Sequence, residues 1–474
     1  MKKAFLGGRL RQLREQQGLT QAALAQRLEI SPSYLNQLER NQRPLTVQVL
    51  LKINAEFGLD IQFFSEEGDA RLLAELREAF QGDASQERVP ASQLRDLVDN
   101  MPAVARRFLK LYRDYREADE LAKSQVLGSG ENGPVTATRT SFEEVRDFFY
   151  DNRNFFEGLD DRAEALFENA GLVIGSAGDG LERRLRDRHG ISVTMSEAGE
   201  AGWLRRFEAR EKTLYLSREL QEGQRAFQIA TQLGFLEATP EISRLVETGA
   251  FSNDESRRLA RIGLANYFAG ALIMPYRKFW RSAEENGYDI AWLSRHFGVG
   301  FEATCHRLST LQKQATRGVP FFFLRVDRAG NISKRQSATD FHFSKIGGSC
   351  PLWKVHSAFD RPGEILTQIA EMPDGRRYLW ITRTVKSGYG RYGAPEKIFA
   401  VALGCDIQHA GRLVYSNGLD LDNPSAATPI GAGCKICPRE GCPQRAFPMF
   451  GKPIVADSDS TRFAPYSANG ATMD

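Results

Sequence analysis

Apolar residues recur at helical spacing through the first third of the chain, with breaks that divide it into short segments. In the first 64 residues, several short helices alternate with turns. Further helices are predicted over 69–80 and 91–121, where leucine and phenylalanine return at intervals of three and four residues. Glycine, serine, asparagine and proline then crowd residues 128–134, which indicates a linker rather than regular structure.

The pattern changes again toward the C-terminus. From 142 to about 314 it is mainly helical, interrupted by strand-like runs near 191–195 and 213–216. Beyond this region, 321–326 and 378–383 predict strands separated by glycine-containing turns. We therefore expect a multidomain protein with an all-α N-terminal domain, a mainly α middle domain and an α+β C-terminal domain. The predicted divisions are an N-terminal domain over 1–64, a helical connector and linker over 65–135, a middle domain over 136–316, a C-terminal domain over 317–455 and a disordered tail over 456–474.

Charge singles out the N-terminal domain. The whole chain has a net charge of +3, whereas residues 1–60 alone hold nine Lys and Arg against five Asp and Glu. A basic surplus at one end favours a nucleic-acid site there. The opening residues are expected to form no signal peptide, and no run of 18 apolar residues predicts a membrane span. Six dispersed cysteines do not suggest a disulfide scaffold, so we expect a cytoplasmic protein.

Two short helices joined by a tight turn are predicted at 21–28 and 32–40. Ser31 and Pro32 form a strong start signal for the second, which carries amide and hydroxyl side chains suited to reading DNA bases. The run from Thr20 to Arg40 closely resembles Xre-type helix-turn-helix domains; a helical bundle that only binds protein is the alternative. The residues predicted to contact double-stranded DNA are Gln21, Ser31, Pro32, Ser33, Tyr34, Asn36, Gln37, Arg40 and Arg43.

The middle domain resembles the ImmA/IrrE metallopeptidase-like family. The run from Phe227 to Phe235 is similar to its active-site helix, and the runs 265–275 and 293–299 are similar to helices that follow it. His296 and His306, from the same region, are interpreted as ordinary core or surface histidines.

The chemistry of a peptidase is missing from this resemblance. Zinc hydrolysis needs two histidines four residues apart on a helix and a glutamate base. Thr231, Gln232 and Phe235 stand in those places, and Leu264 stands where a further acidic ligand is expected. We therefore predict that the protein is not an enzyme.

Three thiols cluster near the C-terminus, at Cys434, Cys437 and Cys442. This spacing indicates metal binding, and thiolates suit both an iron–sulfur cluster and zinc. The fourth ligand would be Cys405, Cys350 or a group from outside the chain. We favour Cys405 because the glycine before it lets the backbone approach closely.

The C-terminal sequence resembles the bacterial short-chain fatty acyl transcriptional regulators, which join an Xre-type domain, a degenerate peptidase-like domain and a cysteine-bearing domain in this order. The runs that carry the resemblance are 350–356, 404–406, 417–421 and 434–447. The resemblance implies that the C-terminal domain binds a short-chain acyl-coenzyme A. It also implies a [4Fe–4S] cluster on the terminal cysteines, as in a member of the group that senses propionyl-coenzyme A.

Basic and aromatic residues that follow one another after residue 375 are candidates for holding this effector. Phosphates need positive charge, and adenine stacks on aromatic rings. A half-exposed sheet with ordinary surface charge explains the same pattern. The candidates are Arg376, Arg377, Tyr378, Trp380, Arg383, Lys386, Tyr389 and Arg391.

The resemblance and the residues together predict a transcriptional regulator of propionate- or acetate-type acyl-coenzyme A metabolism. It would bind a DNA operator as a homodimer or higher homo-oligomer, since such domains usually read two half-sites, and would not bind a membrane. The alternatives are a phage- or antitoxin-type repressor, a zinc-knuckle regulator without an acyl-coenzyme A ligand, and an active metallopeptidase fused to a DNA-binding domain.

Overall fold

The structure is a computed structural model, and its described residues include parts of every predicted domain except the tail. They are 10–49 with gaps at 12, 15, 16, 41, 44, 45 and 47; the single positions 52, 53, 56, 72, 73, 76, 79, 80 and 115; 89–112; 140–196; 203–337; 350–387 without 374; and 397–448 without 432, 435, 436 and 440. The predicted linker at 128–134 and the tail at 456–474 lie outside the described residues.

The N-terminal domain contains the two predicted short helices, α1 (Gln21–Arg27) and α2 (Pro32–Glu39). Each has the cap that its sequence predicts: the backbone N–H of Ala23 donates to the Thr20 hydroxyl, and that of Tyr34 donates to the Ser31 hydroxyl. Leucines from both helices are fully buried in one small core. The structure therefore confirms the helix-turn-helix arrangement.

The helix predicted over 91–121 is divided. Helix α3 (Ala91–Asn100) ends before Met101, whose φ of −137° and ψ of 54° are not helical. A proline disfavours the helical conformation of the residue before it, so Pro102 sets this break. The chain is helical again over 102–112, a segment named here the connector helix. Both segments pack on Leu72, Leu73 and Leu76 in a separate core.

The middle domain is mainly helical, as predicted, with one small sheet. Its central helix, α9, is buried along most of its length and contacts α4, α5 and α7. In the sheet, β3 lies between β1, to which it is parallel, and β2, to which it is antiparallel. The elements are α4 (Ser141–Asp151), α5 (Glu157–Asn169), α6 (Gly178–His189), β1 (Ser192–Ser196), β2 (Arg205–Glu208), β3 (Thr213–Ser217), α7 (Glu222–Glu237), α8 (Thr239–Thr248), α9 (Asp254–Ile273), α10 (Tyr276–Glu285), α11 (Ile290–His296) and α12 (Phe301–Leu308).

The C-terminal domain is built on a six-stranded sheet in the order β5-β4-β8-β7-β6-β9. Neighbouring strands are antiparallel except for the short parallel pair of β6 and β9. The elements are β4 (Phe322–Val326), β5 (Ile332–Ser337), β6 (Leu366–Glu371), β7 (Arg377–Ser387), β8 (Lys397–Asp406), α13 (Ile407–Ala410) and β9 (Thr428–Pro429).

The two faces of this sheet are buried in different cores. Because side chains alternate along a strand, Leu379 and Leu403 face the middle domain and belong to the same core as its helices. Trp380 and Phe322 face the other way and pack against residues 350–359. The middle and C-terminal domains thus share one continuous hydrophobic core, which fixes the walls of the cavity between them.

Candidate functional site

The recognition helix α2 presents a polar surface to solvent. Ser33 and Arg40 are exposed, and Gln37 is half-buried on the same helix. Arg43 is exposed after the helix, with its guanidinium carbon 5.8 Å from the centroid of the Tyr34 ring. These side chains combine hydrogen-bonding groups with positive charge, which suits base and phosphate contacts.

Three other predicted DNA contacts have partners inside the domain. The Gln21 amide donates to Glu39 at 2.8 Å and to Asn36 at 3.4 Å. The Ser31 hydroxyl accepts the cap hydrogen bond of α2. Glu39 is buried and also forms an ion pair with Arg14 at 2.7 Å. These contacts join the two helices, so Gln21 and Asn36 help to position the second helix against the first.

Arg205 of β2 contacts the residues of α7 that stand where the peptidase family has its base and a zinc ligand. Arg205 donates to the side-chain oxygen of Gln232 at 2.5 Å, and its guanidinium lies 5.3 Å from the centroid of the Phe235 ring. The Thr231 hydroxyl donates to the carbonyl of Phe227 at 2.9 Å. Burial lowers the pKa of Arg205. The arrangement therefore offers a cation and a neutral amide where zinc hydrolysis requires ligands and a carboxylate base.

Four cysteines line one small cavity of about 20 Å³ in the C-terminal domain: Cys350, Cys434, Cys437 and Cys442. A Cβ atom on Gly431 would lie 2.6 Å from the Cys437 sulfur, so only glycine allows this close approach. Arg445 ties the loop together by donating to the carbonyls of Cys434 and Cys437 at 3.0 and 2.9 Å.

The pKa of Cys350 reflects how close the other thiols of this cavity lie to it. Burial raises the pKa of Cys350, and the neighbouring Cys434 and Cys437 raise it further. The donor set of four thiols fits a soft metal centre. In the described part of the chain, no three His, Cys, Asp or Glu side chains are positioned so that they could hold a metal ion, so the chemistry of the four thiols, and not their present geometry, suits a metal centre.

The structure contradicts the preference for Cys405 as the fourth cysteine of this group. Cys405 pairs with Leu379 across the sheet and is buried in the core shared with the middle domain. Cys350 packs on the other face of the sheet, where the thiol cavity lies. The glycine argument failed because alternation along β8 turns the Cys405 side chain away from that face. Gly404 instead makes room for the Phe322 ring, which a Cβ would meet at 1.9 Å.

A large cavity lies between the middle domain and the sheet and has a volume of about 1490 Å³. Among the described residues of its wall, eight are Arg or Lys and two are Glu, so it attracts anions. Arg325 forms an ion pair with Glu302 at 2.9 Å. Arg383 lies with its guanidinium carbon 5.2 Å from the centroid of the Phe301 ring. No described residue accepts a hydrogen bond from the buried Nε of Arg383. The basic residues are Arg146, Arg307, Arg325, Lys334, Arg335, Arg383, Lys386 and Lys397.

Apolar side chains and the connector helix form other parts of the same wall. Phe149, Phe227 and Met274 line it from the middle domain, and Leu109 and Tyr112 line it from the connector helix. A cavity with both a cationic part and an apolar part suits a ligand that joins phosphates to a short hydrocarbon chain.

A buried ionic network supports the floor of this cavity. Arg307 and Asp160 are 2 and 1% exposed and form an ion pair at 2.6 Å. The Tyr267 hydroxyl donates to the same carboxylate at 2.5 Å. Burial, followed by the charge of Asp160, raises the pKa of Tyr267 well above its usual value. Because Asp160 neutralises Arg307, the excess positive charge of the cavity wall comes from its other basic residues.

The effector candidates chosen from sequence divide into four groups. Arg383 and Lys386 line the cavity. Arg376 and Arg377 lie outside its wall, and Arg377 donates to the carbonyl of Leu421 at 3.0 Å. Tyr389 and Arg391 lie outside the described residues.

The structure contradicts the remaining two candidates, Tyr378 and Trp380. Both are buried on the far face of the sheet, 3 and 1% exposed. Trp380 packs between Phe322 and Trp353, with ring centroids 4.5 and 4.4 Å away. They build the second core and cannot stack on adenine in the cavity.

Several cavity residues were not recognised from sequence. Arg325 follows the three apolar residues that begin β4, and Lys334 lies opposite it in β5. Lys397 begins β8. Arg325 was detectable, because a basic residue that interrupts an apolar strand is unusual in a core. His306, interpreted as an ordinary histidine, also lines the cavity.

No helix in the described part of the chain is long and apolar enough to cross a membrane.

Comparison with known proteins gives three matches along the chain. Residues 10–64 match a helix-turn-helix domain. Residues 186–309 match the IrrE N-terminal-like domain of the M78 peptidases. Residues 310–466 match the C-terminal domain of the short-chain fatty acyl coenzyme A regulators.

Whole-chain relatives have the same organisation. The HTH-type transcriptional regulator PrpR of Mycobacterium tuberculosis is 49% identical over 98% of this chain and 96% of its own. The propionyl-CoA carboxylase regulator of Cereibacter sphaeroides is 39% identical over 98% of both chains. A solved Mycobacterium tuberculosis transcriptional regulator, 52% identical, superposes with a TM-score of 0.68 over 70% of this chain and all of its own. These relatives are named as regulators, not enzymes, in agreement with the lost peptidase residues.

Proposed function

Because this chain belongs to the family of HTH-type transcriptional regulators with a short-chain fatty acyl coenzyme A regulator domain, we propose that it controls genes of propionate- or acetate-type metabolism in response to an acyl-coenzyme A. The cavity between the middle domain and the sheet is the effector site. One observation carries this assignment: a single wall combines an excess of basic residues with an apolar region.

The electrostatics of the cavity support coenzyme A as the ligand. Coenzyme A carries a pyrophosphate and a further phosphate, and arginine binds phosphate oxygens through several donors at once. Arg383 has a buried Nε that no described residue accepts from, so a phosphate oxygen or pantetheine carbonyl would satisfy it. Phe149, Phe227 and Met274 offer an apolar environment for the short acyl chain.

The connector helix supplies the route from effector to DNA. Leu109 and Tyr112 reach the cavity, while Ala105 and Leu109 pack on the core that contains Leu76. That core lies between the helix-turn-helix and the middle domain in the chain. An effector that contacts Tyr112 differently in two states would therefore bias the orientation of the DNA-binding domains. The protein would act in the cytoplasm as a homodimer, since two recognition helices read two half-sites.

The four cysteines of the thiol cavity would hold a metal centre, which we propose to be a [4Fe–4S] cluster. The likeness to the regulator family supports iron–sulfur over zinc, and thiolate chemistry suits both. A cluster bound there would link residues 434–442 to the segment that follows Cys350. It would thereby order these two segments, which pack on the outer face of the sheet.

Calorimetry with acetyl-, propionyl- and butyryl-coenzyme A tests the effector assignment. Arg383→Ala should weaken binding by about tenfold or more, as expected for loss of a charge-assisted contact of about 1.5–3 kcal/mol. Arg377→Ala is the matched control, because Arg377 lies on the same strand but outside the cavity. Fluorescence anisotropy on an operator selected by the full-length protein should show a shift with the same ligand. If none of the three ligands binds, the proposal fails.

A further inference from the structure

Lys334 lies in the wall of the effector cavity on strand β5, directly across from Arg325 on β4. Its ammonium nitrogen is 5.7 Å from the centroid of the Phe323 ring. The Lys334 side chain is half-buried and lines the cavity. The amine is therefore held where an occupant of the cavity would meet it.

The nearby carboxylate is already engaged by another cation. Glu302 forms its ion pair with Arg325, at 2.9 Å. No described carboxylate lies within ion-pair distance of Lys334. Burial lowers the pKa of Lys334 to about 8; Glu302 opposes this shift and Arg325 adds to it. A minor fraction of the amine is thus uncharged at pH 7 and about half at pH 8, and an uncharged lysine is a nucleophile.

A second titratable group, His306, also lies close to the Phe323 ring. It lines the same cavity, and its ring centroid is 5.9 Å from that of Phe323, the ring that Lys334 also approaches. Burial, and then the charges of Lys334 and Arg307, lower the pKa of His306 well below its usual value. The imidazole is therefore neutral, but its low basicity makes it a hydrogen-bonding group and not an acceptor of the lysine proton.

We propose that Lys334 is an acylation site, at which the thioester of a bound acyl-coenzyme A transfers its acyl group to the lysine nitrogen. This inference rests on the effector assignment proposed above. The amine attacks the thioester carbonyl, a C–N bond forms and the C–S bond breaks. The proton lost from the amine passes to the departing coenzyme A thiolate. The products are an amide and free coenzyme A, and nothing is oxidised or reduced.

Such a transfer modifies the cavity wall covalently. The amide is neutral, so the wall loses one positive charge and gains a short apolar chain. Coenzyme A then leaves while the acyl group remains. The regulator would thus keep a covalent record of its effector after the free concentration falls.

Mass spectrometry of the full-length protein incubated with propionyl-coenzyme A tests the proposal. Tryptic peptides should show propionylation at Lys334 about tenfold or more faster than at the exposed cavity lysine Lys397, because burial lowers the pKa of Lys334 and so makes its amine a better nucleophile. The rate at Lys334 should saturate with ligand concentration, at the concentration that half-saturates binding. It should also rise with pH and level off above about pH 8.

A variant and a ligand analogue distinguish a failure of this proposal from a failure of the effector assignment. Lys334→Arg keeps the charge but has no acylable amine, so position 334 should remain unmodified. The thioether analogue of propionyl-coenzyme A cannot transfer its chain; it should bind, and in excess should protect Lys334. If the analogue binds but propionyl-coenzyme A leaves Lys334 unmodified, or modifies Lys397 equally fast, acylation is overturned while effector binding stands. If the analogue does not bind, the effector assignment fails first.

Discussion

Arg205 donates a hydrogen bond to Gln232 at the position where the peptidase resemblance would place a catalytic base. The same guanidinium lies against the Phe235 ring, at the position of a zinc ligand. The lost active site is therefore an organised polar contact between β2 and α7 and has a structural role of its own.

Replacing Gln232 with glutamate tests this role. Gln232→Glu should stabilise the protein by roughly 1 kcal/mol at pH 7, because a carboxylate forms a stronger, charge-assisted bond with Arg205. The gain should disappear as pH falls through the carboxyl pKa, since protonation removes the charge. Urea unfolding measures it, and combining the change with Arg205→Ala should abolish it. Casein incubated with zinc and either protein should stay intact; zinc-dependent cleavage would contradict the interpretation.

The recognition helix should separate base reading from phosphate binding. Gln37→Ala should cost about 1–3 kcal/mol on the selected operator and little on unrelated DNA. Arg40→Ala should weaken binding to every sequence and reduce the salt dependence by about one phosphate contact. Anisotropy titrations at several salt concentrations distinguish the two. Equal losses on specific and unrelated DNA for Gln37→Ala would show that it does not read a base.

The thiol cavity predicts which cysteines retain metal. In anaerobically purified protein, Cys350→Ala should lose most iron and the visible absorption of a cluster, because Cys350 lines the cavity with the three C-terminal cysteines. Cys405→Ala is the matched control and should keep its iron, because this thiol is buried on the other face of the sheet. Elemental analysis decides the result. One zinc and no iron in the wild-type protein would replace the cluster by a zinc site.

The connector helix predicts separable binding and signalling. Tyr112→Ala should keep acyl-coenzyme A affinity within a few-fold and lose most of the effector's influence on operator affinity, a coupling of typically about 1–3 kcal/mol. Leu111→Ala on the same helix should change neither, since Leu111 is 57% exposed and does not line the cavity. Anisotropy with and without ligand measures the coupling. Unchanged coupling in Tyr112→Ala would exclude this route.

His306 predicts a loss of stability in acid. Burial lowers its pKa in the folded protein, so its stabilising contribution is present above about pH 6.5, the usual value. Below that pH the unfolded chain binds a proton that the folded chain does not, and stability falls by up to about 1.4 kcal/mol per pH unit until the folded pKa is reached. Denaturation of wild-type protein and His306→Gln at pH 7.5 and 5 compares them. An equal loss in both would assign the effect to other groups.

The sequence alone determined the local features of this protein. Ser31 and Pro32 predict the start of the recognition helix because a cap depends only on residues next to it. Thr231, Gln232 and Phe235 exclude peptidase chemistry because ligand and base identities are read directly from their side chains. The close spacing of Cys434, Cys437 and Cys442 likewise brings three thiols together without knowledge of the fold.

The tertiary structure alone decided which distant residues meet. The cavity wall contains residues from Leu109 to Phe399. The sequence around each strand does not show that β4, β5 and β8 turn one face toward the middle domain. Only the folded structure places Arg325, Lys334 and Lys397 on that face. The choice between Cys350 and Cys405, and the burial of Tyr378 and Trp380, depend on the same fact. Neighbouring positions on a strand face opposite sides, and what covers each side is set by packing with segments far away in the chain.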